Sequence, residues 1–417
     1  MSSDEYRRRF ADCVLEELLR DVPALFVTGP RGCGKTTTAS RHSAARVSLD
    51  IPGVASAAQA DPDVFLNGQE HPLLIDEWQE APSVLGALKR AVDRDAAAGQ
   101  FIVTGSVRSE LAPGTWPGTG RLVRVPMAPM AQREVLGFDG ALASLFLHRA
   151  FAEEQPQLVE SDATIADYVD LAVRGGFPEV VRANSDRVRR AWLESYSEQL
   201  LTRDITSLGE TVDGLRLRQY VEVLSLNTAG ILAQSSLAAM AGITVKTSER
   251  YDQLLTDVGI VDNLLPWSRN RIARVEKRPK RFVVDTGIAL AAARLDRDSI
   301  LRDGTLMGRF LEALVYMQLR AEVLAAENPM RLFHLRTANG RQEIDFVVEG
   351  PGGSVVGIEV KASAQVTAHD ARHLRWLKEQ TSSKWRAGFV LHSGRNSYPL
   401  GDGIWALPVA ALWAAPS

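Results

Sequence analysis

A glycine-rich segment near the amino terminus carries the residue types that bind phosphate groups. The segment GPRGCGKTT begins at residue 29 and fits the pattern G-x-x-x-x-G-K-[ST] at every fixed position. Its glycines let backbone N–H groups wrap around phosphates, and the start of the following helix adds positive potential. Lys35 can reach the β- and γ-phosphates of ATP, and the Thr36 hydroxyl can ligate Mg²⁺. The predicted nucleotide contacts in this segment are Gly29, Pro30, Arg31, Gly32, Cys33, Gly34, Lys35, Thr36 and Thr37.

The alternative for this segment is a glycine-rich turn that contains a lysine without a ligand. The predicted strand before it, at residues 24–28, and the predicted helix after it favour the phosphate-binding interpretation. We refer to residues 29–36 as the P-loop.

A second segment supplies the acids that such a site needs. Residues 71–77 are predicted to form a short apolar strand that ends in Asp76 and Glu77. An acid at the carboxyl end of a strand can orient the Mg²⁺ shell, which makes Asp76 a predicted metal residue. Glu77 could polarise the attacking water, which makes it a predicted catalytic residue. Asp-Glu after an apolar run is often only a solvated strand end, but the upstream P-loop favours the catalytic interpretation.

Two further positions could act on the same nucleotide. The strand at residues 101–106 ends in small polar residues, and Thr104 and Ser106 could sense the γ-phosphate or position water. A buried strand followed by a turn explains them almost as well. Arg121 precedes another short strand and could reach the nucleotide of a neighbouring subunit, where it would stabilise transition-state charge. A plain surface arginine is an equal alternative.

The carboxyl-terminal part holds a different set of acids and a lysine. Residues 343–363, EIDFVVEGPGGSVVGIEVKAS, predict two strands joined by a Pro-Gly-Gly turn. Strand alternation puts Glu359 and Lys361 on one face, and pairing could bring Asp345 beside Glu359. Glu312, on a predicted apolar helix, could add a third carboxylate. Carboxylates that converge on Mg²⁺ with a lysine nearby suit phosphodiester cleavage.

For this second set we therefore predict metal ligands Glu312, Asp345 and Glu359 and catalytic residues Asp345, Glu359 and Lys361. The alternatives are a hairpin whose polar face is only solvated, or a catalytically inactive nuclease used as a binding platform.

The middle of the chain has a sequence pattern typical of a DNA-binding helix–turn–helix. Two short helices are predicted around Gly242, and a basic stretch follows at residues 269–281. The second helix would present its contacts to a groove, and the basic stretch suits a phosphate backbone. The predicted nucleic-acid contacts are Lys246, Thr247, Arg250, Arg274, Lys277 and Lys280. Contact with a protein partner and a solvated hairpin are the competing interpretations.

The composition of the chain and the order of its predicted elements indicate the class of protein that contains these sites. The 417 residues are 45% hydrophobic and 24% charged, with a net charge of −3 and two cysteines, so any nucleic-acid surface must be a local patch. We expect a cytoplasmic multidomain protein that does not enter a membrane. The fold class is α/β multidomain, because alternating strands and helices to about residue 129 predict a parallel sheet with crossover helices. The predicted domains are residues 1–130, 131–208, 209–298 and 299–417.

Several motifs in this order resemble a known family. They are Tyr6 and Arg9 near the amino terminus, GPRGCGKTT, PLLIDEWQEAP, VDRDAAAGQFIVTGS, GRLVRVPMAPMAQREV, GGFPEVV, LTRDI, PKRFVVDTG, GRFLEALV and the EIDFVV and IEVKAS pair. Together they look like the prokaryotic AAA+-type P-loop ATPases that carry a carboxyl-terminal domain of unknown function. The resemblance covers essentially the whole chain.

This resemblance implies an AAA+ ATPase core, a helical lid, a winged helix and a restriction-endonuclease-like, PD-(D/E)xK-type carboxyl-terminal domain. It also puts Arg121 where ring-forming ATPases of this type present an arginine to the neighbouring subunit, which implies a homo-oligomer such as a hexameric ring.

Two classes of function remain open at this point. In the first, ATP hydrolysis remodels DNA, single-stranded or branched DNA included, that the winged helix and the carboxyl-terminal domain hold, with metal-dependent nuclease activity as an additional possibility. In the second, the protein is a nucleotide-gated switch whose ATP and ADP states expose different partner-binding surfaces.

Overall fold

The computed structural model describes residues 6–105, 120–152, 156–201, 213–270, 278–337 and 340–415. Three of the predicted contacts, Ser106, Arg274 and Lys277, lie outside these ranges. Within them, no helix combines the length and the apolar composition that crossing a bilayer requires.

The first part of the chain forms a parallel sheet flanked by helices. Its strands are β1 (Ala24–Thr28), β2 (Ala45–Ser48), β3 (Leu73–Asp76), β4 (Phe101–Thr104) and β5 (Val123–Pro126). The strand order is β2-β3-β4-β1-β5, and each neighbouring pair is parallel. Strands β1, β3 and β4 are buried at every residue, because helices cover both faces of such a sheet and leave no polar side. The predicted parallel sheet is thus confirmed.

Helices surround this sheet and continue beyond it. Those of the sheet region are α1 (Phe10–Leu18), α2 (Lys35–Ser40), α3 (Pro52–Ala60), α4 (Pro62–Leu66) and α5 (Ser83–Arg94). The next helices are α6 (Gln132–Val135), α7 (Phe146–Phe151), α8 (Ile165–Arg174), α9 (Pro178–Arg182) and α10 (Asp186–Gln199).

The middle part contains helices and one antiparallel strand pair. Its elements are α11 (Gly214–Leu226), α12 (Gln234–Met240), α13 (Val245–Asp257), β6 (Val261–Leu264), β7 (Lys280–Val283), α14 (Thr286–Ala293) and α15 (Arg297–Arg302). Helices α12 and α13 flank Gly242, whose positive φ of 64° suits glycine at a tight turn. Strand β7 pairs with β6 and lies between the helices and the carboxyl-terminal part.

A mixed six-stranded sheet forms the carboxyl-terminal part. Its elements are α16 (Gly304–Ala325), β8 (Arg331–Arg336), β9 (Glu343–Glu349), β10 (Val355–Lys361), α17 (Arg372–Thr381), β11 (Trp385–His392), β12 (Tyr398–Gly401) and β13 (Ile404–Pro408). The strand order is β12-β13-β11-β10-β9-β8. The predicted hairpin is the antiparallel pair of β9 and β10, joined through residues 351–353. Helix α16 covers one face of the sheet and α17 the other.

One buried carboxylate ties the middle part to the P-loop sheet. The side chain of Asp285 is fully buried, and it accepts hydrogen bonds from the backbone N–H groups of Gly176, at 2.6 Å, and Ile288, at 3.0 Å. The Met130 N–H, just beyond β5, in turn donates to the Gly176 carbonyl at 2.6 Å. A Cβ atom at Gly176 would lie 2.4 Å from the Met130 carbonyl oxygen, so only glycine fits between these two partners.

We therefore expect Gly176→Ala to destabilise the protein by about 1–3 kcal/mol, because the Met130 backbone cannot move away without breaking its hydrogen bond to the Gly176 carbonyl. Gly308→Ala is the matched control, since a Cβ atom at this position inside α16 meets nothing within 4 Å. This control should gain about 0.5–1 kcal/mol, because alanine favours the helix. Urea unfolding followed by circular dichroism measures both changes. Equal unfolding curves for the two variants would contradict the close approach at Gly176.

Candidate functional site

The P-loop lies between the end of β1 and the start of α2. Gly29, Gly32 and Gly34 have φ values of 150°, 76° and 101°, which only glycine adopts readily. A Cβ atom at Gly29 would lie 2.4 Å from the carbonyl oxygen of Met127. The motif glycines are thus required by the path of the backbone as well as by the expected ligand.

Lys35 is buried and bonds to the loop itself. Its Nζ donates to the carbonyl oxygens of Gly29 and Pro30, each at 3.0 Å. The ammonium is therefore held directly against the loop that would wrap the phosphates. A triphosphate could take over these contacts with stronger, charge-assisted bonds.

Asp76 gathers the polar groups at the carboxyl edge of the sheet. Its Oδ1 accepts from the Thr36 hydroxyl at 2.8 Å and from the Thr104 hydroxyl, and its Oδ2 accepts from Arg46 at 2.7 Å. The parallel strands β3 and β4 end at the same edge, and α2 begins there, so the fold brings Thr36, Asp76 and Thr104 together. No sequence signal marks Arg46, because its position on β2 is neither apolar nor part of a motif.

Glu77 follows Asp76 in a strained conformation. Its φ and ψ are 53° and 47°, the left-handed region that costs a non-glycine residue about 1–3 kcal/mol. Its carboxylate accepts a hydrogen bond from the side chain of Gln79. The buried indole of Trp78 packs against Gly105, so closely that a Cβ atom at Gly105 would lie 2.5 Å from the indole ring. This packing anchors the turn. The tryptophan therefore supports the positions of both acids, and the strain at Glu77 is of the kind that functional sites retain.

An aromatic cluster from the next helices covers the P-loop. We call Phe177, Trp192 and Tyr196 the aromatic cover. All three side chains lie 3.7–3.8 Å from where a Cβ atom at Gly32 would be. The Tyr196 hydroxyl donates to the Arg31 carbonyl at 2.9 Å, and its ring stacks on Trp192. The sequence does not predict this cover, because the spacing of its residues is also that of an ordinary helix core.

A buried arginine holds the other side of the loop. Arg9 donates to the carbonyl oxygens of Cys33, at 2.8 Å, and Ala128, at 2.7 Å, and pairs with Glu134 at 3.1 Å. Only 4% of Arg9 is exposed. In the sequence, Arg9 belongs to the motifs that resemble the ATPase family, but these motifs did not predict a role for it. The structure makes it a positioning residue for the P-loop.

Arg121 lies at the surface and pairs within its own chain. Its Nε donates to Asp93 of α5 at 2.7 Å, and 42% of its side chain is exposed. An exposed pair of this kind is weak and exchangeable. Its predicted contact with a neighbouring subunit stays a prediction.

The predicted nucleic-acid contacts separate into two groups. Lys246 and Arg250 are exposed on α13, and Thr247 beside them is partly buried and bonds to Thr244. Lys280 is only 2% exposed, so its predicted role as a surface phosphate contact is wrong. As the first residue of β7 it points into the protein, where carboxylates of the carboxyl-terminal part surround it.

Those carboxylates are the second predicted set, which we call the carboxylate cluster: Glu312, Asp345 and Glu359. The β9–β10 register pairs Phe346 with Ile358, so its next step places Asp345 opposite Glu359. The Oδ2 of Asp345 accepts from the backbone N–H of Val360 at 2.9 Å, and Lys361 pairs with Glu359 at 3.2 Å. The hairpin thus brings its predicted residues together.

Lys280 stands within this cluster. Its Nζ contacts Glu312 and lies 3.3 Å from Oδ1 of Asp345. Among the residues that the structure describes, no three His, Cys, Asp or Glu side chains are arranged to hold a metal ion. The predicted metal ligands are therefore present but paired with ammonium groups. This role of Lys280 was not predicted, because a lysine in a basic stretch is typical of a solvated surface.

The charges of the cluster perturb one another strongly. Burial raises the pKa of Glu312, and the Asp345 carboxylate contributes to that rise while Lys280 opposes it. Burial also raises the pKa of Glu359 well above its usual value, again with Asp345 adding to the rise. For Lys280, burial lowers the pKa, but Glu312 and Asp345 more than reverse this, so its pKa is raised overall. The carboxylate cluster is thus an environment that favours a positive charge.

The parallel sheet, the loop after β1 and the acid that ends β3 define a P-loop core. Comparison with family models agrees, since residues 21–136 match the family described as AAA domain. This match supports a P-loop ATPase core. Residues 165–299 and 307–412 match two families described as Domain of unknown function, DUF8612 and DUF4143.

Similar proteins occur in mycobacteria. An uncharacterised protein of Mycobacterium bovis and one of Mycobacterium tuberculosis are each 28% identical to this chain over 405 residues, which span 96% of this chain and 83% of the relative. A solved structure of a Walker-type ATPase of Pyrococcus abyssi is 14% identical and covers 69% of this chain and 96% of its own, with a TM-score of 0.39.

Proposed function

We propose that this protein binds Mg²⁺-ATP, hydrolyses it and uses the cycle to remodel DNA. The observation that carries the ATPase proposal is the convergence of Thr36, Asp76 and Thr104 beside the P-loop lysine. These four residues come from three separate segments of the sequence and share one edge of the sheet, and their types are those that phosphoryl transfer uses.

Each residue has a role in this proposal. Lys35 would leave the Gly29 and Pro30 carbonyls and bind the β- and γ-phosphates. The oxygen ligands of Thr36 and Asp76 fit Mg²⁺, which would bridge phosphate oxygens and neutralise developing charge. Thr104, bonded to Asp76, would keep that carboxylate in position. Glu77 would accept the proton of the attacking water.

A close contact could couple the nucleotide to DNA. The turn after α13 lies against the P-loop. A Cβ atom at Gly259 in this turn would be 3.6 Å from the Pro30 nitrogen. Lys246 and Arg250 are exposed in the amino-terminal half of the same helix. We infer that nucleotide-dependent movement of the loop would shift α13. Such a shift would fit both DNA remodelling and a nucleotide-gated switch. In the proposed one, α13 acts as the groove-reading helix of a winged helix.

A nucleotide-gated switch is the alternative, and the aromatic cover favours it. Because Tyr196 and Trp192 contact the P-loop directly, the helical lid would respond to the nucleotide without any DNA. ATP turnover that single-stranded, duplex and branched DNA all leave unchanged would select the switch. Stimulation by one of them would select remodelling.

A second activity, metal-dependent cleavage of a phosphodiester, is proposed for the carboxylate cluster as part of a restriction-endonuclease-like domain. The placement of Asp345 opposite Glu359, with Lys361 beside it, favours it. A metal ion bound by these oxygens would activate water and stabilise charge on the phosphate. The Lys280 variants described below test its first requirement, which is binding of a divalent cation.

We expect Glu77→Gln to retain ATP affinity and lose turnover by about 10²–10⁴-fold, because the amide cannot accept the proton of the water while the metal residues stay intact. Glu80→Gln is the matched control, since it makes the same chemical change at an exposed position three residues later. Steady-state phosphate release and equilibrium binding of ATP measure the two effects. Wild-type turnover in Glu77→Gln would show that Glu77 is not the base.

We also propose that the protein assembles into a homo-oligomer, such as a hexameric ring, in which Arg121 acts on the neighbouring nucleotide. Arg121→Ala should then lower turnover by on the order of 10³-fold with little change in ATP affinity, because its contact forms mainly in the transition state. Arg124→Ala, at an exposed arginine on β5 three residues later, should have little effect.

Mixing Arg121→Ala with Lys35→Ala protein should restore part of the ATPase activity, because each variant supplies the group that the other lacks. Light scattering on the same samples gives the assembly state. A protein that stays monomeric in every nucleotide state, together with no rescue on mixing, would rule out the shared site.

For DNA binding, we expect affinity to fall steeply with salt concentration, because lysine and arginine contacts to phosphates release counterions. Lys246→Ala and Arg250→Ala should each reduce the slope of log affinity against log salt by about 1. Arg187→Ala, an exposed arginine on α10, is the control and should leave the slope unchanged. Fluorescence anisotropy at several salt concentrations gives the slopes. Unchanged slopes for both α13 variants would exclude this helix from the contact with DNA.

A further inference from the structure

Strand β7 inserts a buried ammonium group between two acids of another part of the chain. Lys280 opens β7 in the middle part, whereas Glu312 lies on α16 and Asp345 on β9. The Nζ of Lys280 contacts Glu312 and lies 3.3 Å from Asp345, and only 3% of the side chain is exposed. It is therefore the cation that compensates these carboxylates.

The third acid of the cluster, Glu359, has one carboxylate oxygen that could still bind a cation. Glu359 is 3% exposed, and its Oε1 atom has no hydrogen-bond partner among the residues described. Its other oxygen pairs with Lys361, whose side chain is 37% exposed. A buried carboxylate oxygen without a donor is costly, and a cation at the cluster would satisfy it.

A divalent cation and Lys280 would compensate the same charges. Both need the oxygens of Glu312 and Asp345, and a metal ion bound by these oxygens would bring a second positive charge against a buried ammonium group. Repulsion between two cations at such a distance in a buried site is strong. The two states of the cluster therefore exclude each other.

We propose that Lys280 is the resident cation of the carboxylate cluster and that a divalent cation binds Glu312, Asp345 and Glu359 only when β7 withdraws this lysine. The ligand set rests on the cleavage site proposed above, but the competition concerns cation binding alone. It makes Lys280 an autoinhibitory residue, which a PD-(D/E)xK-like site does not need for its own chemistry.

The neighbour of Lys280 on β7 suggests what could move it. Arg281 pairs with Asp252 of α13 at 2.8 Å and bonds to the side chain of Gln234 on α12. A shift of α13 would thus pull on the strand that carries Lys280. Strand β7 therefore connects the proposed DNA-binding helix to the carboxylate cluster.

The test measures Mn²⁺ binding by calorimetry, with every variant made in an Asp76→Asn background so that the P-loop site does not contribute. If the state without Lys280 in the cluster is populated at about 10% or less, Lys280→Met should bind Mn²⁺ at least about tenfold more tightly than the parent. Adding Asp345→Asn to Lys280→Met should abolish this gain. Activity is not needed for the measurement, so an inactive ATPase or an absent nuclease does not affect the outcome.

Lys361→Met is the matched control, because it removes one ammonium group from the same cluster but leaves Lys280 in place. Simple electrostatics predicts a similar gain for both variants, whereas competition for the site predicts a gain only for Lys280→Met. Equal gains, or a parent that already binds Mn²⁺ through Asp345, would overturn the proposal.

Lys280→Met could unfold, because it leaves buried acids without a cation. In that case Mn²⁺, which replaces the missing charge, should restore the helical circular dichroism spectrum. A folded Lys280→Met that binds no Mn²⁺, or an unfolded one that Mn²⁺ does not restore, would equally overturn the proposal.

Discussion

The buried charges of strand β7 and the turn after it join the three parts of this protein. Lys280 meets the carboxylate cluster, Arg281 meets Asp252 on α13, and Asp285 accepts the backbone N–H of Gly176. Each of these charges is out of water and needs its partner, because an unpaired buried charge costs about 3–5 kcal/mol. Between them, Phe282 stacks on the Tyr316 ring of α16. Strand β7 and the turn that follows it thus connect the P-loop sheet, the helices and the carboxyl-terminal sheet.

This arrangement places the P-loop under constraints from several directions. Arg9 holds the carbonyl of Cys33, Tyr196 holds that of Arg31, and the turn at Gly259 lies against Pro30. The amino-terminal segment, α10 and α13 therefore each contact a different residue of one loop. A movement of this loop would therefore be transmitted to each of the three elements.

The carboxylate cluster illustrates how the same residues can suit two chemical states. Acids that converge in a dry site need positive charge, and either a metal ion or a lysine can supply it. The hairpin and Glu312 supply the acids, but the cation in this structure is Lys280. The chemistry of the cluster therefore depends on the position of a strand that lies outside the carboxyl-terminal sheet.

The sequence by itself determined the features that depend on neighbours along the chain. The P-loop glycines, the acids Asp76 and Glu77 and the hairpin around residues 351–353 follow from spacing, strand alternation and turn chemistry, which act over a few residues. Packing between distant segments decided the rest. Arg46, the aromatic cover and Lys280 take their roles from partners that lie 30 to more than 160 residues away, as the Arg46–Asp76 and Tyr196–Arg31 contacts illustrate. A basic residue in a basic stretch predicts a solvated surface, and only the tertiary structure shows that Lys280 is enclosed by acids.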